Sequence, residues 1–178
     1  FAFYPHYPIN FFGSSMTDYS FFYQYGAGIL FRYLTAEWVS SEWIRRSFEE
    51  SAFSAPIQWW RETMSSEELD FGKVFGLFAA RNAFWDYQVR DDLGEIVAMS
   101  SLLFPEYDGH LAVSLDGKGT DGWMDSPVET LPQWYGYNHI RLNSPADFVL
   151  SFSFDGDLEG SQGSEAHWAV YAVLQQGT

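Results

Sequence analysis

The chain has 178 residues and a formal net charge of −15, from 24 acidic and 9 basic residues. This charge argues against nucleic acid and anionic membranes as partners, because both are bound through lysine and arginine. With 47% hydrophobic residues, 20% aromatic residues and no cysteine, the composition predicts a large packed core and excludes disulfides and thiolate chemistry. No apolar run reaches the ~18 to 20 residues that a membrane span needs.

The first strong pattern predicts a long, mostly buried helix over 19–37. Apolar residues recur there at i, i+3, i+4 and i+7 for four turns, and the opposite face also carries phenylalanines. Gly26 and Gly28 lower helix stability, so we expect them to permit close approach of another backbone.

Three further helices are predicted before residue 90. An amphipathic helix over 41–51 should turn Trp43, Ile44 and Phe48 inward, and a short helix over 57–63 follows near Pro56. The next helix is predicted to start after Ser65-Ser66, with Glu67 and Glu68 in its first turn. Its helically spaced apolar residues should pack against the 19–37 helix; they are Phe71, Val74, Phe75, Phe78 and Ala79.

Period-two alternation replaces helical periodicity near residue 105. Alternation with one mixed face is typical of half-buried antiparallel strands. We therefore predict an α+β fold, with an aromatic-rich helical subdomain over 1–104 packed on a small, jelly-roll-like antiparallel β-sandwich over 105–178. The predicted strands cover 111–115, 139–142, 148–154 and 168–174.

Motifs for catalysis are incomplete in this sequence. No two of its four histidines are four residues apart and none precedes a glutamate, so the HExxH zinc motif is missing. Each histidine is most simply explained by an ordinary hydrogen bond in a loop or strand. There is no GxSxG motif, and adjacent acidic residues are typical of solvated helix faces. No catalytic residue is assigned, and whether the chain is part of an enzyme stays open.

One loop is a candidate Ca²⁺ site. Asp155, Asp157 and Glu159 alternate in a glycine-bearing stretch, and carboxylates in such loops are the ligands that Ca²⁺ selects. The alternative is a plain acidic β-turn, which the sequence favours. A weaker acidic cluster contains Asp116, Asp121 and Asp125. No other cofactor is predicted.

A second candidate site is a group of aromatic residues in the loops before the predicted second strand. Aromatic side chains on such loops can stack on sugar rings, so the group is a candidate ligand-binding site. The favoured alternative is packing between the helical and β parts. The residues are Trp123, Trp134, Tyr135 and Tyr137.

The order of several short motifs resembles the region downstream of the active site in secreted zincin-like metallopeptidase-related proteins of bacteria and archaea. There, an aromatic FF segment precedes a YGA helix ending in YL-x-E, a W-x-I/V-R-R helix and a helix with F-x-x-F-A, and a small sandwich often follows. The matching residues are Phe11-Phe12, Tyr25-Gly26-Ala27, Tyr33-Leu34 with Glu37, Trp43-Ile44-Arg45-Arg46, Phe75 with Phe78-Ala79, Leu131-Pro132, Tyr135-Gly136, Asn138 with Ile140-Arg141-Leu142, and Phe152 to Gly156.

This resemblance implies a role and a location. In those proteins the HExxH motif lies N-terminal to the matching region, so no catalytic residue carries over to this chain. The resemblance implies a non-catalytic C-terminal region of a secreted, extracellular metallopeptidase-like protein, which braces an upstream zinc peptidase half and carries an accessory β-sandwich. Phe1, which is preceded by no methionine or signal peptide, is interpreted as a processed or cut end.

Two other functions stay open from the sequence. The first is an extracellular carbohydrate-binding or adhesion module, whose partner would be a polysaccharide. The second is a structural subunit that assembles with another protein chain through exposed aromatic residues. The length of the native precursor separates these two from the peptidase-associated role.

Overall fold

The computed structural model describes residues 8–9, 28–51, 56–83, 124–127, 131–132, 135–142, 151–154 and 168–173. Most of them belong to four helices, each of which packs against the next one along the chain. The helices are α1 (Gly28–Glu37), α2 (Ser41–Glu50), α3 (Pro56–Ser66) and α4 (Phe71–Asn82).

The helices begin where local chemistry favours a start. The Ser40 hydroxyl accepts a hydrogen bond from the backbone N–H of Trp43 at 3.1 Å and so caps α2. Pro56 is the first residue of α3, a position where its missing N–H costs nothing. Asp70 caps α4 by accepting from the backbone N–H of Lys73 at 3.2 Å. The predicted helices over 41–51 and 57–63 are therefore confirmed, the second being longer than predicted.

The predicted start of the fourth helix after Ser65-Ser66 is wrong. α3 continues to Ser66 and is closed by two backbone bonds, Leu69 N–H to Met64 C=O at 2.8 Å and Glu68 N–H to Ser65 C=O at 3.2 Å. Glu68 takes the left-handed conformation, with φ of 62°. This pair of bonds is the Schellman motif, which ends a helix instead of starting one. Serine and glutamate occur at both ends of helices, so the sequence alone does not distinguish a helix start from a helix end here. The backbone hydrogen bonds identify an end.

Rings from all four helices meet in one core. Trp60 of α3 is its centre, because its ring lies 5.5 Å from Phe31 of α1, 6.3 Å from Trp43 of α2 and 5.7 Å from Phe71 of α4. Phe78 is fully buried and its ring lies 5.4 Å from Tyr33. The predicted packing of the fourth helix against the first is thus confirmed for Gly28–Glu37, whereas residues 19–27 lie outside the described residues.

One expectation about an individual position is wrong, and another finds no support among the described residues. Phe48 was predicted to face inward, but its side chain is 69% exposed and contacts Phe31 at the edge of α2, with centroids 5.6 Å apart. α2 instead buries Trp43 and Ser47. A Cβ added at Gly28 would meet no atom of the described residues within 4 Å, so none of the described backbone approaches closely there. Gly26 lies outside the described residues.

The predicted β-sandwich over 105–178 is wrong for the part of it that the structure describes. None of the described segments after residue 83 forms a strand, although Asp125 and His139 lie in isolated β-bridges. All side chains of 151–154 and 168–173 are exposed, so neither set of alternating residues forms a buried face. A strand requires a hydrogen-bonded neighbour, which alternation within one segment does not specify. The described fold is helical instead of α+β.

Two further fold predictions concern residues that the structure does not describe. The predicted strand over 111–115 and the boundary between residues 104 and 105 lie outside the described residues, so both stay predictions.

The helices that are described have 10 to 12 residues, and none has the length and apolar character needed to cross a membrane.

Phe78 supports the first testable prediction. Replacing it with alanine removes a fully buried ring that lies against Tyr33, Phe75 and Tyr137. We expect Phe78→Ala to lower the free energy of unfolding by ~3 to 5 kcal/mol, measured by urea denaturation. Phe48→Ala is the control, since its ring is mostly exposed. A loss below ~1 kcal/mol at Phe78, equal to that of the control, would contradict the described core.

Candidate functional site

The segment 135–142 lies across the rings of α4. Tyr135 fits between two phenylalanines, with its centroid 5.2 Å from Phe71 and 5.5 Å from Phe75. Its φ of 54° is rare for a residue with a side chain, and the surrounding rings hold it there. Tyr137 continues the contact, 6.2 Å from Phe75 and 6.4 Å from Phe78.

Hydrogen bonds fasten the same segment to the C-terminal end of α4. The buried Asn82 side-chain amide donates to the Tyr137 hydroxyl at 2.6 Å. His139 Nε2 lies 2.8 Å from the backbone oxygen of Ala79. Because a carbonyl oxygen can only accept, His139 must carry a proton on Nε2. This agrees with the interpretation of His139 as an ordinary hydrogen-bonded histidine, although not one in a strand.

An ion pair joins α4 to α1 beside this segment. Arg81 of α4 pairs with Glu37 of α1, and the Arg81 guanidinium lies 5.7 Å from the centroid of the Tyr33 ring. Both side chains of the pair are partly buried. Salt therefore screens their attraction less than it screens that of a surface pair. The contact therefore holds the C-terminal ends of the two helices together.

Tyr33 and Tyr135 are neutral packing groups. Burial raises the pKa of Tyr33 above its ordinary 10.0, and burial raises the pKa of Tyr135 in the same way despite a hydrogen bond from Arg61. A folded pKa above the unfolded one means that stability is complete below pH ~10 and falls as the pH rises further. At neutral pH neither phenol is poised for acid–base chemistry.

A second segment reaches α4 through Tyr171. A Cβ added at Gly76 would overlap the Tyr171 ring and hydroxyl, so glycine is what allows this ring to lie on the helix. Gly76 is buried, whereas Tyr171 is 39% exposed. The segment 168–173 is thus anchored at one point while its other side chains face solvent.

Large apolar side chains are exposed on 168–173 and on the neighbouring 151–154. The rings of Phe154 and Trp168 lie edge to face with centroids 5.6 Å apart. The six side chains are 39% to 56% exposed, and we refer to them together as the C-terminal apolar surface. They are Phe152, Phe154, Trp168, Val170, Tyr171 and Val173.

The predicted aromatic site is only partly described. Tyr135 and Tyr137 lie on α4, where they pack against phenylalanines as described above, whereas Trp123 and Trp134 lie outside the described residues. The structure therefore does not show whether the four residues come together. Their role in ligand binding stays a prediction.

The predicted Ca²⁺ loop falls entirely outside the described residues. These are Asp155, Asp157 and Glu159, so the prediction stays untested. Asp125 of the weaker cluster is described and exposed, but its companions are not described. Within the described segments, no group of three or more acidic or histidine side chains is placed to hold a metal ion.

Sequence reasoning missed three residues that position these segments. They are Asn82, Gly76 and Tyr171, none of which the sequence singles out as a contact residue. The close approach of a ring to a glycine depends on two positions 95 residues apart in the sequence. No local pattern signals such a contact.

Comparison with known proteins identifies the family. The model of the family of unknown function DUF6055 matches residues 13–177. The chain belongs to this family. The match covers the four helices and the segments 135–142 and 168–173. Membership assigns no activity, because the family is defined without one.

No curated protein and no solved structure matches the chain significantly. The family match does not connect the chain to metallopeptidases, so the resemblance in motif order stands as an expectation.

The contact between Gly76 and Tyr171 gives the second testable prediction. In a Tyr171→Ala background, Gly76→Ala should stabilise the protein by ~0.5 to 1 kcal/mol, because alanine favours a helix interior. In the parent protein the new methyl group displaces the Tyr171 ring, so the gain should vanish. The measurement is a double-mutant cycle from urea denaturation.

Gly28→Ala is the matched control for this cycle, since its Cβ would meet neither Tyr171 nor any other described residue. Its effect should be the same with Tyr171 or Ala at position 171. If Gly76→Ala also changes the free energy of unfolding by the same amount in both backgrounds, the Tyr171 ring does not lie on α4.

Proposed function

We propose that the chain is a non-catalytic module that braces another part of a larger protein through its C-terminal apolar surface. The observation that carries the proposal is the exposure of six large apolar side chains on two neighbouring segments. Isolated exposed apolar residues are ordinary, but several on two segments that are joined by a phenylalanine–tryptophan contact favour an interaction site. Covering apolar surface contributes about 25 cal/mol per Å².

Anchoring on the helices makes this surface suited to docking. Tyr171 belongs to the surface and also lies on Gly76 of α4, which the core holds in place. A segment that is already positioned loses less conformational freedom when it binds. This anchoring supports a brace with a defined orientation.

The polar contacts described above support a structural role. Asn82, Tyr137 and His139 hold 135–142 on α4, and Glu37 and Arg81 join α1 to α4. These side chains hold α1 and the segment 135–142 on α4, the helix against which Tyr171 lies. An extracellular location, and a zinc peptidase half as the braced part, are the finer expectations that the motif order alone supports.

A carbohydrate-binding module is the second candidate. The observation that favours it is the exposed pair of Phe154 and Trp168, since aromatic rings at a surface can stack on sugars. Their interplanar angle of 63° does not present one flat platform, which favours a protein partner over an extended polysaccharide.

Hydrogen–deuterium exchange tests the proposal. The 20.5 kDa chain is compared with the native polypeptide that contains it, whose intact mass is measured first. We expect the native polypeptide to be longer, and exchange over 168–173 to be at least ~10-fold slower in it than in the isolated chain. Exchange in α2 should be equal in the two forms. Equal exchange over 168–173 would contradict the proposal, and slowing of this segment only by added polysaccharide would favour the second candidate.

A further inference from the structure

We infer that the core between α2 and α3 contains an internal binding site for a water molecule, held by the indole N–H groups of Trp43 and Trp60 and by the Ser47 hydroxyl. The inference concerns the helices alone and is independent of the proposed docking role. It follows from two buried hydrogen-bond donors, neither of which donates to an acceptor among the described residues.

Both donors lie in the interior of the protein. Trp43 is 4% exposed and Trp60 is 6% exposed, and the Nε1 atom of each is buried. Buried N–H groups in folded proteins nearly always have an acceptor, because an unpaired donor loses the hydrogen bond that it makes to water in the unfolded chain. An acceptor is therefore required at each indole in the folded protein.

The two indoles are close enough to share one acceptor. Their ring centroids lie 6.3 Å apart. An oxygen that accepts from both N–H groups joins nitrogens up to ~6 Å apart, because an N–H···O bond is ~2.9 Å long. The distance between the rings is therefore compatible with a single oxygen between α2 and α3.

A third polar group lies on the same buried face of α2. Ser47 follows Trp43 by one helical turn, and both residues are buried. The Ser47 hydroxyl donates to the backbone oxygen of Ile44 at 2.7 Å, so its own oxygen still has lone pairs that accept. Two N–H donors and one acceptor match water, which has about two to four polar partners when it is buried.

The surroundings favour water over other small ligands. Arg45 and Arg46, the two arginines of α2, already pair with glutamates of the same helix. A bound anion would therefore be buried without a counter-charge, which is costly. An apolar ligand would leave the N–H groups unpaired. Water accepts and donates hydrogen bonds, carries no charge and is small enough to lie among buried side chains.

Overhauser contacts between water and the indole protons test the inference in the full chain. Tryptophan is isotope-labelled, and each indole is assigned from contacts with its own backbone. In the rotating frame, direct contact and proton exchange with bulk water give peaks of opposite sign. We expect direct-contact peaks to water at both Trp43 and Trp60. Trp59 is the control, because it is only partly buried and water at a surface exchanges too quickly to give such a peak.

A matched pair of serine variants tests the third partner. Ser47 and Ser66 each donate to the backbone oxygen three residues earlier at 2.7 Å, but only Ser47 is buried. We expect Ser47→Ala to lower the equilibrium constant for folding at least ~5-fold, because the water loses a hydrogen bond. Ser66→Ala should change it by less than ~2-fold. The measurement is urea denaturation, and equal effects of the two variants would overturn the three-partner site.

The Overhauser outcomes are also decisive. Peaks to water at both indoles that persist in Ser47→Ala support the site, because the two donors still hold the water and the hydroxyl proton is excluded as the source. Loss of the peaks in this variant would assign them to the hydroxyl and overturn the inference. A peak at only one indole, or contacts of both indole protons with protein groups alone, would overturn it as well.

Discussion

The row of phenylalanine rings on α4 is the contact on which the rest of the described structure depends. Phe71 meets Trp60 of α3, Phe78 meets Tyr33 of α1, and both helices are thereby placed against α4. The same row also receives Tyr135 and Tyr137 from far along the chain. Each ring thus serves local helix packing and long-range attachment together. Losing one of them therefore affects both levels of structure.

Attachment to α4 also explains how an exposed apolar surface can be held in place. On one side of α4 the rings and the hydrogen bonds of Asn82 and His139 position 135–142. At Gly76, Tyr171 positions 168–173 without burying it. The helices hold 135–142 and Tyr171 in place, and the apolar surface that we propose for docking lies on 151–154 and 168–173. This division between support and exposed surface fits the proposed role as a brace.

The helices could be predicted from sequence because their signals are local. Ser40, Pro56 and the spacing of Phe71, Phe75 and Phe78 depend on residues within one or two turns. Even here the boundary near Glu68 was missed, because serine and acidic residues fit both ends of a helix. The spacing of α2 predicts Phe48 inward, yet the helix buries Trp43 and Ser47 and the Phe48 side chain stays mostly in solvent.

The later segments could not be predicted in this way. Alternation in 148–154 and 168–174 predicts strands, but pairing into a sheet depends on partners distant in sequence, and the described parts of both segments form no strand. Of the predicted aromatic site, Tyr135 and Tyr137 proved to lie on α4, which only the folded chain reveals. The approach of Tyr171 to Gly76 and the bond between Asn82 and Tyr137 likewise join positions with no common local pattern.

Attachment of 135–142 to the α4 ring row is the central claim, and nuclear Overhauser contacts test it most directly. A protein of 20.5 kDa is accessible to this measurement with selectively labelled phenylalanine and tyrosine. The account predicts cross-peaks between the rings of Tyr137 and Phe78 and between those of Tyr135 and Phe71. Cross-peaks from Phe78 to Tyr33 alone, with none to Tyr135 or Tyr137 from any ring of α4, would contradict it.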